Sequence, residues 1–117
     1  MSHFLQVGDG KYAIWAEVVE AGNDLLVYIG GGEKPHIGGA SFTSPKGAPF
    51  SLSCPAHKDY IVSSDASIRI SAATGRKCLV VVGIHVDDAS ISDIEQLLYN
   101  SERCVDLLVS KLKESSQ

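Results

Sequence analysis

The chain has 117 residues, 44% of them hydrophobic, and its fourteen acidic and ten basic side chains give a net charge of −4. This length and composition predict one folded domain over residues 1–117 and argue against a disordered chain. The basic residues are scattered, which argues against nucleic-acid binding, and no apolar run approaches the roughly 18 residues that a membrane-spanning helix needs.

The N-terminus and the cysteines indicate a cytoplasmic protein. The opening stretch, MSHFLQVGDG, lacks the basic region and apolar core of a signal peptide. Cys54, Cys78 and Cys104 are odd in number and form no C-x-x-C pair. We expect Cys78 and Cys104 to be small buried hydrophobic residues and Cys54 to be exposed in a loop.

The first predicted elements are strands. The segment YAIWAEVVEAG (12–22) alternates imperfectly between apolar and polar residues, GND marks a turn, and DLLVYIG (24–30) completes a hairpin. A third, shorter strand is predicted for residues 36–43. Residues 44–56, SPKGAPFSLSCPA, are rich in Pro, Ser and Gly and predict an irregular loop.

Residues 57–74 are ambiguous between strand and helix. Ile68, Ile70 and Ala72 alternate as in a strand, whereas Ile61, Asp65, Ile68 and Ala72 follow a helical spacing. A glycine at position 75 suits the end of a helix, and we therefore predict a helix here.

The last two elements have clearer patterns. The run KCLVVVGI (77–84) is apolar on both faces, which is typical of a central strand covered on both sides. Ser90 and Asp93 form a shortened capping box at the start of the last helix. One apolar stripe follows along that helix, formed by Ile94, Leu97, Leu98, Cys104, Val105, Leu108 and Leu112.

The resulting order, β-β-β-α-β-α, predicts a two-layer α+β domain in which two helices pack on a mixed or antiparallel sheet. Because the central strand is apolar on both faces, we expect a partner to cover the second face.

Three stretches contain the residues that could bind a ligand or take part in catalysis, and each holds one histidine: GGGEKPHIGG with His36, CPAHKDY with His57, and GIHVDDAS with His85. The last lies at the end of the core strand, where open sheets commonly bind ligands. A structural interpretation is equally open there, since Asp87 and Asp88 can satisfy the following helix start.

In GGGEKPHIGG, the glycines let backbone approach a ligand closely, Lys34 can meet a phosphate, and Pro35 fixes the chain before His36. The stretch matches no phosphate-loop pattern, so a glycine-rich turn with a bulge is the alternative interpretation.

Together these motifs resemble a known family. IGGGEKPHIGGASF, then HKDY, then VVVGIHVDDASISDIEQLLYN are similar to the small D-subunit family of hydroxyarylic acid (gallate-type) decarboxylases, described as prenylated-flavin chaperone-like domains. The resemblance runs from about Asp24 to the last helix, and the order of the three histidine motifs is its specific part. It implies a fold similar to the proteasome-assembly chaperones, which act as dimers.

The resemblance implies a non-catalytic accessory protein. Such a protein would hold prenylated FMN (or FMN) and assist the maturation of a UbiD-like aromatic acid decarboxylase, alongside the flavin prenyltransferase that makes the cofactor. It also implies a homodimer. No catalytic residue and no metal ligand is predicted.

Carried over by position, the implied cofactor-binding residues are Gly31, Gly32, Lys34, Pro35, His36, Gly38, His57, His85 and Asp87. The glycine backbone would approach the flavin or its phosphate, and His36 and His85 would hydrogen-bond the ring carbonyls or the phosphate. The 44–56 loop is longer than the connection expected in this family, which suggests a lid over the site or a local insertion.

Two other classes of function stay open. A small metal- or acid/base-dependent enzyme could use His36, His57, His85 and Asp87, although their spacing matches no metal signature. A ligand-free assembly chaperone could use the same motifs to shape a partner surface.

Overall fold

The computed structural model describes residues 3–47, 49–54 and 59–116. Within these residues the elements follow in the order β1 (Leu5–Val7), a 3-10 turn (Gly10–Tyr12), β2 (Ile14–Ala21), β3 (Asp24–Gly32), β4 (Gly39–Thr43), β5 (Phe50–Ser53), α1 (Asp59–Thr74), β6 (Cys78–His85) and α2 (Ile91–Ser115). Neither helix contains an apolar stretch sufficient to cross a membrane among the residues described.

The six strands form one mixed sheet in the order β1-β2-β3-β6-β4-β5. Every neighbouring pair is antiparallel except β3 and β6, which run parallel at the centre. α1 packs on β4, β5 and β6, α2 packs on β1 and β2, and the two helices contact each other. The predicted two-layer α+β class, with two helices on a mixed sheet, is confirmed.

Two of the six strands were not predicted. β1 has only three residues, too few for a recognisable pattern. β5 lies inside the 44–56 segment predicted as an irregular loop, so that prediction is wrong for Phe50–Ser53. β5 is an edge strand with all four side chains exposed, so burial did not impose the alternation that marks most strands. The observed order is therefore β-β-β-β-β-α-β-α.

The core lies between the sheet and the helices. Alternate residues of the central strands, such as Val27, Ile29 and Val80, are fully buried against it. Cys78 and Cys104 are buried too, as predicted, and burial raises the pKa of each thiol to about 12.

α1 buries a face that its sequence did not predict. Ile61 and Ile68, the apolar members of the helical spacing seen in the sequence, are 54% and 42% exposed. The buried face is instead rich in small residues: Ser63, Ala66, Ser67, Ile70 and Ser71. Two of their hydroxyls pair with hydroxyls of β4, Ser63 with Ser41 at 2.8 Å and Ser67 with Thr43 at 2.7 Å, which satisfies them away from water.

The opposite face of the sheet has no covering layer within the described chain. Strand register aligns one apolar row across five strands, formed by Val19, Leu26, Leu79, Phe42 and Phe50. These side chains are between 37% and 64% exposed. We call this surface the open sheet face.

Candidate functional site

The parallel pairing of β3 and β6 brings two of the histidine motifs together. Gly32, at the end of β3, is in register with His85, at the end of β6. The backbone N–H groups of Glu33 and Lys34 both donate to the His85 carbonyl oxygen, at 2.7 and 3.1 Å. GGGEKPHIGG therefore turns around the C-terminal end of β6, and His36 lies at the same end of the central strands as His85.

The glycines at this end of the central strands let the chain fold closely on itself. Gly32 has a φ of +74°, and a Cβ there would overlap the His85 carbonyl. Gly31 lies in β3 opposite Ile14, and Gly38 lies against the Asp59 carboxylate. The close approaches of Gly32 and Gly38 are thus to the protein's own backbone and side chains.

Lys34, Asp87 and His85 form a hydrogen-bonded series at the surface. The Lys34 Nζ lies 2.7 Å from Asp87 Oδ2, and His85 Nε2 lies 3.0 Å from Asp87 Oδ1. The Asp87 backbone N–H donates to Glu33 at 2.9 Å. The hydrogen bonds from Lys34 and then His85 lower the pKa of Asp87. Asp87 therefore binds the neighbouring motif, and the cap of α2 is supplied by Ser90 and Asp93 as predicted.

His36 is held more deeply than His85. Its Nδ1 lies 3.0 Å from the Lys34 carbonyl oxygen and its Nε2 lies 3.4 Å from Asp59 Oδ2. Its own carbonyl accepts a hydrogen bond from the Tyr28 hydroxyl at 2.7 Å. The His36 and His85 rings meet edge to face, with centroids 6.2 Å apart. We call the group around these two rings the polar cluster, formed by Glu33, Lys34, His36, Asp59, His85 and Asp87.

Asp59 was not among the site residues predicted from the sequence. It begins α1, and its Oδ1 accepts a hydrogen bond from the Ile84 backbone N–H at 3.4 Å while its Oδ2 faces His36. The signal was its place as the acid in the HKDY step.

An apolar cleft adjoins the polar cluster. It has a volume of about 380 Å³ and lies between α1, the end of β6 and α2. We call it the α1–α2 cleft, and its lining residues are Asp59, Val62, Ile84, His85, Val86, Ala89, Ile94, Leu97, Leu98 and Ser101. His85 and Asp59 belong both to this lining and to the polar cluster, so the two features share an edge.

The structure brings most of the predicted site residues close together, and their role in binding stays a prediction. Lys34, His36, His85 and Asp87 lie together, with Gly31, Gly32, Pro35 and Gly38 in or beside the same turn. His57 lies outside the described residues. Among the residues that the structure describes, no three metal-ligating side chains come close enough to hold an ion.

Comparisons with known proteins place the chain in a family. Residues 8–113 match the family described as prenylated flavin chaperone LpdD-like domain. The protein named LpdD of Lactiplantibacillus plantarum is 30% identical over 88 residues. That alignment covers 71% of this chain and 65% of the relative, slightly less than two thirds of the relative's length.

The fold has a solved counterpart. A chain in the crystal structure of a chaperone complex for yeast 20S proteasome assembly superposes with a TM-score of 0.55 and 16% identity. The match covers 92% of this chain and 94% of that chain. At this identity, the likeness establishes the fold alone.

Proposed function

The chain belongs to the family of prenylated flavin chaperone LpdD-like domains, and on that premise we propose that it is a non-catalytic accessory protein that binds prenylated FMN. It would hold the cofactor and deliver it to a UbiD-like aromatic acid decarboxylase, with the flavin prenyltransferase as the source.

The observation that carries this proposal is the shared edge between the polar cluster and the α1–α2 cleft. A flavin combines an extended apolar ring system with a polar edge of carbonyl and N–H groups. The cluster offers donors from Lys34 and the histidines and acceptors from Asp59 and Asp87, and two of its members, Asp59 and His85, also line the cleft. A concave apolar surface with a few convergent polar groups is the usual form of a small-molecule site.

The open sheet face supports a second part of the proposal, a homodimer. β6 is a nearly continuous apolar run, the pattern of strands that are covered on both faces, yet within the described chain only one face of the sheet is covered. The aligned row from Val19 to Phe50 carries no charge, so a second copy can face it without burying an unpaired ion. Two such faces would form the aligned packing of a β-sandwich, about 10 Å apart.

The test is retention of the cofactor. Purified protein is mixed anaerobically with reduced prenylated FMN, desalted and exposed to air, and the visible spectrum of the protein fraction is recorded. We expect a retained flavin spectrum that His85→Ala abolishes and His3→Ala, a matched change away from the cluster, leaves intact. A colourless wild-type fraction would exclude the cofactor-holding role and favour a ligand-free assembly chaperone.

A further inference from the structure

Two of the exposed apolar residues of α2 lie at the α1–α2 cleft. Ile94 and Leu98 continue the apolar stripe of the helix, yet they are 48% and 55% exposed, whereas Leu97, Val105 and Leu108 are buried. Both exposed residues line the α1–α2 cleft. What sets these two side chains apart is that they lie in a concave surface rimmed by the polar residues Asp59, His85 and Ser101, a combination that marks ligand-binding grooves.

The cleft continues along the helices. A neighbouring depression of about 330 Å³ shares Val62, Leu98 and Ser101 with it and extends to Asp65 and Glu102. Arg69 lies 3.5 Å from Asp65 but is shared with Asp106, so the far end of the combined groove stays net acidic and is unfavourable for an anionic group.

The near end is also unsuited to a phosphate. Among its described residues, the polar cluster sets one ammonium, on Lys34, against three carboxylates, on Glu33, Asp59 and Asp87. Lys34 is already paired with Asp87 at 2.7 Å. A doubly charged phosphate would be repelled by these carboxylates, whereas an uncharged edge of alternating carbonyl and N–H groups could bond with both the donors and the acceptors present.

We propose that the α1–α2 cleft binds the hydrocarbon-rich part of the flavin ring system, and that the polar cluster contacts the ring's carbonyl and N–H edge while the phosphate stays outside. This inference rests on the proposed function and specifies the orientation of the ligand in it. The ring would cover Ile94 and Leu98. The cleft has a volume of about 380 Å³, which lies within the roughly 300–1,000 Å³ that is usual for small-molecule sites. The phosphate is then left accessible to a receiving protein.

The experiment compares two ligands and two matched variants by equilibrium dialysis under anaerobic conditions. The ligands are reduced prenylated FMN and its dephosphorylated form, prenylated riboflavin. The variants are Leu98→Glu, in the cleft, and Leu107→Glu, at a comparably exposed site on α2 that does not line it. We expect Leu98→Glu to raise the Kd at least tenfold, Leu107→Glu to change it less than twofold, and removal of the phosphate to change it less than threefold.

A larger side chain gives a second variant at the same position. Leu98→Trp fills the cleft without introducing charge and should also raise the Kd at least tenfold, with a circular dichroism spectrum like that of the wild type. Equal Kd values for the Leu98 and Leu107 variants, or loss of binding on removal of the phosphate, would overturn the inference and leave the proposed function standing. Failure of the wild type to bind either ligand would overturn both.

Discussion

The backbone of His36 passes directly over Gly83, so that a Cβ on Gly83 would overlap the His36 carbonyl group. Gly83 is a buried residue of the central strand β6, two positions before His85. Because Gly83 has no side chain, the glycine-rich motif can cross over the C-terminal end of β6 and place the His36 ring beside the His85 ring. The same His36 carbonyl accepts the Tyr28 hydroxyl, which fixes the crossing.

We therefore predict that Gly83→Ala displaces the motif. The added methyl group meets backbone atoms that cannot rotate away, so the unfolding free energy should fall by about 1–3 kcal/mol, the usual cost of overpacking. Urea denaturation measures this loss, and the flavin retention assay should show weaker binding. Gly47→Ala, where a Cβ makes only ordinary contact with Ser44, is the control and should unfold like the wild type.

The two histidines of the cluster should differ in their effect on stability. The His85 ring is 43% exposed and its partner, Asp87, is also at the surface, so His85→Ala should change the Tm by less than about 2 °C. The His36 ring is 26% exposed and contacts Asp59 and the Lys34 carbonyl, so His36→Ala should lower the Tm further. Thermal unfolding followed by circular dichroism separates them, and equal Tm losses would contradict this difference.

The Asp93 carboxylate at the start of α2 should make the stability of the protein sensitive to acid. Hydrogen bonds from the Tyr12 hydroxyl, first, and from the Ser90 backbone lower the pKa of Asp93 from 3.8 to about 2. Because the folded pKa lies below the unfolded one, the stabilisation from this carboxylate is complete above about pH 4 and disappears as the pH falls towards 2. Urea midpoints between pH 5 and pH 2 should fall less steeply in Asp93→Asn than in the wild type. Parallel curves for the two proteins would show that Asp93 does not contribute.

If the protein dimerises through the open sheet face, a charge introduced at the centre of that face should prevent dimer formation. Leu79 lies at the centre of the aligned row, between Leu26 and Phe42. Leu79→Asp would bury an unpaired carboxylate in a sheet-to-sheet interface, so we expect it to convert the proposed dimer to a monomer. Light scattering after size-exclusion chromatography measures the mass. Leu107→Asp, on the helix layer, should leave the mass unchanged, and a wild-type monomer would refute the dimer.

Local patterns in the sequence determined much of this protein. The capping box of Ser90 and Asp93, the burial of Cys78 and Cys104 and the existence of strand β6 follow from neighbouring residues alone, because caps and strand patterns act over a few positions. The three histidine motifs were also visible as sequence, and two of them lie at the ends of neighbouring strands.

The tertiary structure decided which residues meet. The parallel register of Gly32 with His85 joins segments more than fifty residues apart, and no local pattern specifies that register. The buried face of α1 is another such case: Ser63 and Ser67 become core residues only because Ser41 and Thr43 on β4 supply partners for their hydroxyls. Serine hydroxyls without such partners favour solvent, so the sequence predicted that the serine face of α1 would be exposed and the face with Ile61 and Ile68 buried. The structure shows the reverse. Asp59 entered the site in the same way, through a contact with His36 that only the packed chain creates.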